Sequence, residues 1–359
     1  MASQSRHVLR SVHVDATVAI ASVAAIICAQ LVLRFRCSQK STSTRIVGAA
    51  ATENRSEPCG SAMCGLWLRS HNCYGSIEGH ETSSAGVRTG VPVMADVPLY
   101  DRTYARFGLP ARQQVRHETY GEDLGQNSWL TVDEWNAMIG WITPRHRSRV
   151  LDVGCGSGGP DLYLAQQTGA QVVGIDMNAD AVSTANAAAA ESGLASLASF
   201  QQADASTALP FADGSFDAVF CIDAVNHLRN RLRVFQEWHR VLKPHGQVVF
   251  TDPVVVTGLL TNEEIAARTS IGIFVLSLLE EDHRLLDQAG FDLLRSDDST
   301  DNVATVARRW LEARAVRRQE LEEDEGPTAF EGMQQFLTIV HTLAAERRLS
   351  RYTFLARVR

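Results

Sequence analysis

Between residues 148 and 253 the chain alternates short β-rich runs with amphipathic stretches. The runs 148–153, 171–176, 197–204, 216–223 and 247–252 read as strands, and 161–167, 181–191 and 231–242 as helices. Gly169 closes the first helix. Asn178 is placed to cap the second, Gly193 ends it, and Lys243-Pro244-His245-Gly246 stops the third. Strands alternating with helices predict parallel strands covered on both faces. The right-handed crossover preference then makes a doubly wound α/β sheet the economical fold, with ligands at the carboxyl ends of its strands.

After Pro253 the pattern changes. Helices are expected at 261–269 and 280–289, a strand at 291–295, long helices at 303–323 and 328–348 separated by Gly326-Pro327, and a last strand at 351–359. The two long helices exceed what a nucleotide-binding sheet needs, so an insertion around 300–348 is expected to cap its carboxyl edge. Upstream, Thr131 and Glu134 have capping-box spacing, which starts a helix there. The chain thus divides into an N-terminal segment 1–93, a lid and helix 94–147, and a catalytic-type domain 148–359.

Residues 16–33 are an uncharged, mostly apolar run at the lower limit of a bilayer span. Arg34, Arg36, Lys40 and Arg45 follow it, so a membrane anchor would leave the C-terminal part cytoplasmic. A cleaved organelle-targeting segment is the alternative, and a start at Met94 would give a cytoplasmic protein. Residues 38–93 are rich in Ser, Thr and Gly and read as a disordered linker.

Composition narrows the function. With 45 % hydrophobic and 21 % charged residues the chain is of ordinary globular type. Its net charge of −7 carries no basic footprint, so no nucleic-acid partner is expected. Seven cysteines, five of them before residue 74, make a poor disulfide framework. Cys59, Cys64, His71 and Cys73 lack the paired spacing of a structural zinc site, so no metal is expected. Oligomeric state is not set by the sequence.

The chemistry concentrates in Leu151-Asp152-Val153-Gly154-Cys155-Gly156-Ser157-Gly158-Gly159-Pro160. Here a strand must turn sharply and let its backbone approach a ligand, which glycine permits. The helix that follows presents free N–H groups. Gly154, Gly156 and Gly159 satisfy the dinucleotide fingerprint, but Asp152, two residues ahead of the first glycine, is unlike the usual dinucleotide strand. Asp176 ends the next strand, where a carboxylate can accept both hydroxyls of a ribose. Cys155 reads as filling a small-residue slot.

The segments LDVGCGSGG, VVGIDMN, QADA, LPFADGSFDAVFCIDAVNHL and VLKPHGQVVFTDP, in this order and spacing, resemble the successive motifs of class I S-adenosylmethionine-dependent methyltransferases. The resemblance implies a seven-stranded, mostly parallel Rossmann-like sheet with S-adenosyl-L-methionine as cofactor. It places Asp152, Gly154, Gly156, Gly158 and Asp223 near the methionine moiety, Asp176 on the ribose, Met177 on the adenine face, and Asp204 with Ala205 at the adenine edge. The segment HETYGEDLGQNSWLTVDEW is similar to the lid of phosphobase and related amine methyltransferases. This places Gln126 with the cofactor and sets Tyr120 and His227 against the reacting groups.

Histidine titrates near neutrality, so His227 is the candidate general base. Asn226, Asp252 and Thr257 could face the methyl acceptor. No phosphate-binding set is evident, and a small amine or a phenol- or quinone-like acceptor both fit. An NAD-dependent oxidoreductase and a non-catalytic cofactor-binding module remain the alternatives.

Overall fold

A computed structural model describes residues 103–359. The apolar run 16–33, the linker and the cysteines between 28 and 73 lie outside the described residues. Two helices, α1 (Pro110–Tyr120) and α2 (Val132–Ile142), lead into β1 (Arg149–Val153), α3 (Gly159–Thr168), β2 (Gln171–Asp176), α4 (Ala179–Glu191), β3 (Ala198–Gln202) and β4 (Phe216–Cys221). There follow α5 (Arg231–Val241), β5 (Leu242–Val256), α6 (Asn262–Arg268), α7 (Leu279–Ala289) and β6 (Phe291–Asp298). Helices α8 (Thr300–Val316), α9 (Arg318–Glu325) and α10 (Pro327–Ala345) then precede β7 (Leu349–Val358).

The seven strands form one sheet in the order β3-β2-β1-β4-β5-β7-β6. Pairing is parallel from β3 to β5, whereas β7 runs antiparallel to both β5 and β6. Both faces are covered, so adjacent residues bury into opposite cores. Val248 and Phe250 face one core with Phe235, Trp238 and Leu286, while Val249 faces the other with Trp135, Leu164 and Phe220. This two-sided burial is why the strand runs are short and apolar rather than alternating. Trp135 anchors α2 there: its ring meets Phe220 edge-on at 4.8 Å, and its indole N–H donates to the Pro160 carbonyl at 3.0 Å.

Three local expectations change. The Lys243–Gly246 stop is not a turn outside the sheet. It is a bulge inside β5, where pairing jumps from Phe216–Leu242 to Ala218–Gln247 and His245 takes φ 63°. The expected helix 303–323 is two helices broken at Arg317. The capping box at α2 is half formed: Thr131 accepts from the Glu134 N–H, but the Glu134 carboxylate is drawn to Arg351 instead. Helix α1 was not foreseen, because its polar sequence lacks an apolar stripe; Pro110 at its first position and Gly121 after its end delimit it.

Helices α8–α10 sit between β6 and β7 in sequence. They build their own apolar cluster (Val303, Val306, Phe336, Leu337, Val340) with Tyr120 and Trp129 of the lid segment. Arg351, on β7, is fully buried. Its guanidinium holds Asp223 at 2.7 Å, at the end of β4, and Glu134 on α2. Removing one member of a buried ion cluster leaves the others uncompensated. Arg351→Met is therefore expected to lower unfolding free energy by about 3–5 kcal/mol. Urea denaturation checks this, and a loss under about 1 kcal/mol would show that solvent reaches the cluster.

Candidate active site

The glycine turn lies at the carboxyl end of β1. Gly154 and Cys155 donate their N–H groups to the Ile175 carbonyl at 2.8 and 3.1 Å, which ties the turn to β2. Gly156 adopts φ 54°, and a Cβ there would lie 2.5 Å from the Tyr104 hydroxyl; a Cβ on Gly159 would lie 1.6 Å from the Leu124 carbonyl oxygen. Lid and turn therefore approach to a distance only glycine allows. The Ser157 hydroxyl adds a 2.6 Å bond to the Gly125 carbonyl.

Asp176 ends β2. One carboxylate oxygen accepts from the Gly156 N–H at 2.9 Å and the other from the Asn178 N–H at 2.9 Å. Each oxygen has a second lone pair, so two hydroxyls of a ribose can still be accepted. Burial pushes this carboxyl's pKa up, and the backbone N–H bonds work against that. Met177, next to it, is 72 % exposed, an unusual setting for a large apolar side chain and one suited to covering a flat ring. Asp204 stands in an exposed turn, accepting from the Ser206 N–H at 2.8 Å, with Ala205 buried beside it.

A second compartment lies between lid, sheet end and helical cap. Its walls include Trp129, Ile271, Phe274, Trp310, Met333 and Phe336, with Asn226 and His227 on the sheet side. His227 Nδ1 faces the Ile273 carbonyl at 2.7 Å, so it must carry the proton. Nε2 is then the basic nitrogen, and the Asn226 amide lies 3.2 Å from it. Burial lowers the His227 pKa below the ordinary histidine value, favouring the neutral base. Four arginines border this compartment: Arg112 is paired with Asp324 and Glu325, Arg116 with Asp123 and Arg314 with Glu325, while Arg268 lies over the Phe274 and Phe336 rings.

Several expected placements are corrected. Tyr120 does not join His227: its hydroxyl donates to the Ser128 carbonyl at 2.7 Å and its ring packs in the lid–cap cluster. Gln126 is turned into the lid, where its carboxamide accepts from the Leu124 N–H at 2.7 Å, so the contact with the glycine turn falls to Ser157. Asp223 borders the acceptor compartment, but its carboxylate is saturated by Arg351, the Trp129 N–H and the Thr251 hydroxyl. It clamps the lid rather than offering itself to a ligand. Asp252 is wholly buried in a cluster with Arg231 (2.5 Å), Ser277 and, through Arg231, Asp282. Thr257 bonds Arg347 and Ser350 away from the compartment.

Asp161, on α3, carries the clearest site chemistry that sequence reading missed. It is buried against Asp152, and the two carboxyls share a hydrogen bond, hence a proton. Asp152 keeps one buried oxygen without a partner; burial, helped by the nearby Asp176 charge and opposed by the hydrogen bond with Asp161, raises its pKa to about 7. Asp161 is raised too, chiefly by burial. An acid in the first turn of a helix ordinarily serves the helix dipole, which is why it drew no notice. A partnerless carboxylate oxygen behind the glycine turn, with Asp176 able to take a diol, fits a cofactor that presents a ribose and a cationic amino-acid head.

A carboxyl whose folded pKa lies above its unfolded value contributes stability at low pH that is lost as pH rises through the folded pKa. For Asp152 that window runs from its ordinary value near 4 up to about 7. The wild type should therefore lose stability across it at up to about 1.4 kcal/mol per pH unit. Asp161→Asn, which can donate to Asp152 without titrating, should flatten the fall. Parallel urea-melt profiles of the two proteins from pH 4 to 8 would refute the shared proton.

The profile of a methyltransferase domain family matches residues 151–250. Methyltransferase GfsG of Streptomyces halstedii is 35 % identical over 161 residues, spanning 43 % of this chain and 56 % of that protein. O-methyltransferase resE of Aspergillus sclerotiorum is 31 % identical over 234 residues, 63 % of this chain and 86 % of that one. The chain thus spans little more than half of GfsG but most of resE. Cyclopropane synthase MmaA2 of Mycobacterium tuberculosis shares the fold at a TM-score of 0.62 and 15 % identity, over 72 % of this chain and 98 % of its own. With resE matched at 31 % identity along 86 % of its length and a methyltransferase profile over residues 151–250, the chain belongs to the class I S-adenosylmethionine-dependent methyltransferase family.

Proposed function

We propose that this protein methylates a hydroxyl group of an uncharged, largely apolar small molecule held between lid and cap. The observation that carries the reading is the compartment itself: aromatic and aliphatic walls, three of its four arginines paired with carboxylates of the chain and the fourth, Arg268, stacked on Phe274 and Phe336, and one neutral imidazole at its sheet side. A phosphorylated amine would need several cationic groups free of carboxylates, whereas Arg112, Arg116 and Arg314 are each ion-paired and Arg268 is stacked on Phe274 and Phe336. The similarity to an O-methyltransferase along most of that protein's length supports the same reading.

When bound, S-adenosylmethionine supplies a methyl group on a positively charged sulfur. The chain's part is to hold and orient. Asp176 accepts the ribose hydroxyls, the Asp152–Asp161 pair faces the cationic head, and Met177 covers the adenine. The lid, clamped to the turn by Ser157 and to the sheet by Asp223, excludes water. His227 takes the proton of the acceptor hydroxyl on Nε2 while the Ile273 carbonyl keeps the ring oriented. Residues 16–33 would hold the domain at the cytoplasmic face of a membrane, a reading supported by the basic residues that follow them. The acceptor, the base and the location are parts of this proposal.

Cofactor binding and single-turnover rates test it. Gly156→Val, which places methyls against Tyr104, is expected to abolish S-adenosylmethionine binding in calorimetry while circular dichroism stays native. Asp176→Ala should weaken S-adenosylmethionine and S-adenosylhomocysteine alike, by about 1–3 kcal/mol; unchanged affinity in a folded variant would displace the cofactor from this turn. His227→Ala should bind cofactor normally and lose roughly 10²-fold or more in single-turnover rate. The wild-type rate should rise with pH through an inflection on the acid side of the usual histidine value, because only the neutral ring accepts a proton and burial lowers its pKa. Equal rates of variant and wild type would remove His227 from the chemistry.

A further inference from the structure

Residues 269–278, between α6 and α7, have no helix of their own and pair with the sheet through a single bridge, from Ser277 to Val255. Yet this stretch brings Ile271 and Phe274 to the wall of the acceptor compartment and sets the Ile273 carbonyl against His227 Nδ1 at 2.7 Å. The Phe274 ring meets the imidazole edge-on at 4.7 Å. Gly272 and the Ile273 side chain are exposed, so apolar packing does not pin the backbone at this point. Holding an irregular backbone in one conformation costs entropy that other contacts must offset.

Those contacts come from a buried ion cluster behind the stretch. Arg231, at the start of α5, is 5 % exposed. One guanidinium nitrogen donates to Asp252 at 2.5 Å and to Asp282 at 2.6 Å, and another donates to the Val275 carbonyl at 3.1 Å. The Ser277 hydroxyl lies 2.6 Å from the Asp252 carboxylate and 3.0 Å from that of Asp282. An apolar filling of the same volume is often no less stable than a buried ion cluster, so stability does not account for one here. What an apolar filling lacks is direction, whereas a planar guanidinium fixes its acceptors at defined points.

We propose that Arg231 and Ser277, seated on Asp252 and Asp282, are positioning residues that hold the 273–277 backbone so that the Ile273 carbonyl fixes the tautomer and orientation of His227. The inference rests on the placement of His227 at the methyl acceptor given above. It concerns Nδ1 alone, whichever group meets Nε2. Released from that carbonyl, a neutral imidazole is no longer committed to one tautomer, because the bond made by one ring nitrogen sets the state of the other.

The imidazole itself is the readout. The full chain, labelled with ¹⁵N-histidine, is studied by NMR at pH 8, above the ordinary histidine pKa, and His227→Ala identifies the signal. The wild type is expected to show His227 as a single Nδ1–H tautomer with two distinct nitrogen shifts. Arg231→Lys keeps a cation among the carboxylates but lacks the fork that also reaches Val275. In it the two shifts should draw together, and exchange of the Nδ1 proton with water should speed up by about tenfold or more. Ser277→Ala removes a single hydroxyl and asks the same question if the lysine variant does not fold. Val358→Ala, in the core at the last position of β7, is the control: it should lower stability and leave the tautomer unchanged. Loss of the tautomer in either cluster variant, with the control intact, supports the proposal. A tautomer retained in the folded cluster variants, or lost equally in Val358→Ala, overturns the positioning role and leaves His227 at the acceptor. A wild-type ring that is not Nδ1–H overturns the placement of His227 as well.

Discussion

Everything on the ligand side of the sheet depends on a guanidinium with no access to water. Arg351 belongs to the last strand, Asp223 to the turn just after β4 and Glu134 to the helix behind the lid, so one buried cation joins three distant parts of the chain. Isolated, each of these charges would be costly to bury; together the cation offsets the two carboxylates, although one Glu134 oxygen keeps no hydrogen-bond partner. Asp223 pays backbone strain for its part, at φ 53°, and in return its carboxylate reaches the Trp129 N–H. The antiparallel turn of the sheet between β5, β7 and β6 is what delivers Arg351 to this point.

That junction also separates two chemistries. On one side is the glycine turn, with backbone N–H groups, Asp176 and a buried pair of acids that share a proton. On the other is an aromatic compartment whose polar features facing the sheet are an imidazole and an amide. Cofactor recognition is made from backbone and fixed carboxylates, which tolerate little variation in ligand. The acceptor side is made from side chains of a cap inserted between β6 and β7, so its shape can differ without disturbing the sheet.

The same division explains how much could be read from the sequence. Strands β1, β2, β4 and β5, the helices between them, the glycine turn and Asp176 were legible because their signals are local: apolar runs of strand length, glycines at fixed offsets, a carboxylate at a strand end. The bulge at Lys243–Gly246 was misread because a Pro-Gly segment looks the same whether it ends a helix or kinks a strand. Asp161 was hidden because its significance lies in facing Asp152 across a turn, nine residues away in sequence.

The sequence by itself thus determined the sheet, the order of its strands' motifs, the cofactor turn and the presence of His227 near the reacting end. These follow from hydrophobic period and from glycine's missing side chain, which act over a few residues. Tertiary structure alone decided that Glu134 leaves its own helix cap for Arg351, that Asp223 clamps the lid, that Tyr120 and Gln126 turn inward, and that Asn226 presents an unpaired oxygen. Each of those outcomes is settled by which partner a buried polar group finds. In a low-dielectric interior that choice is worth more than any local propensity, and the partners lie anywhere from 2 residues away, for Gln126 and Leu124, to 217, for Glu134 and Arg351.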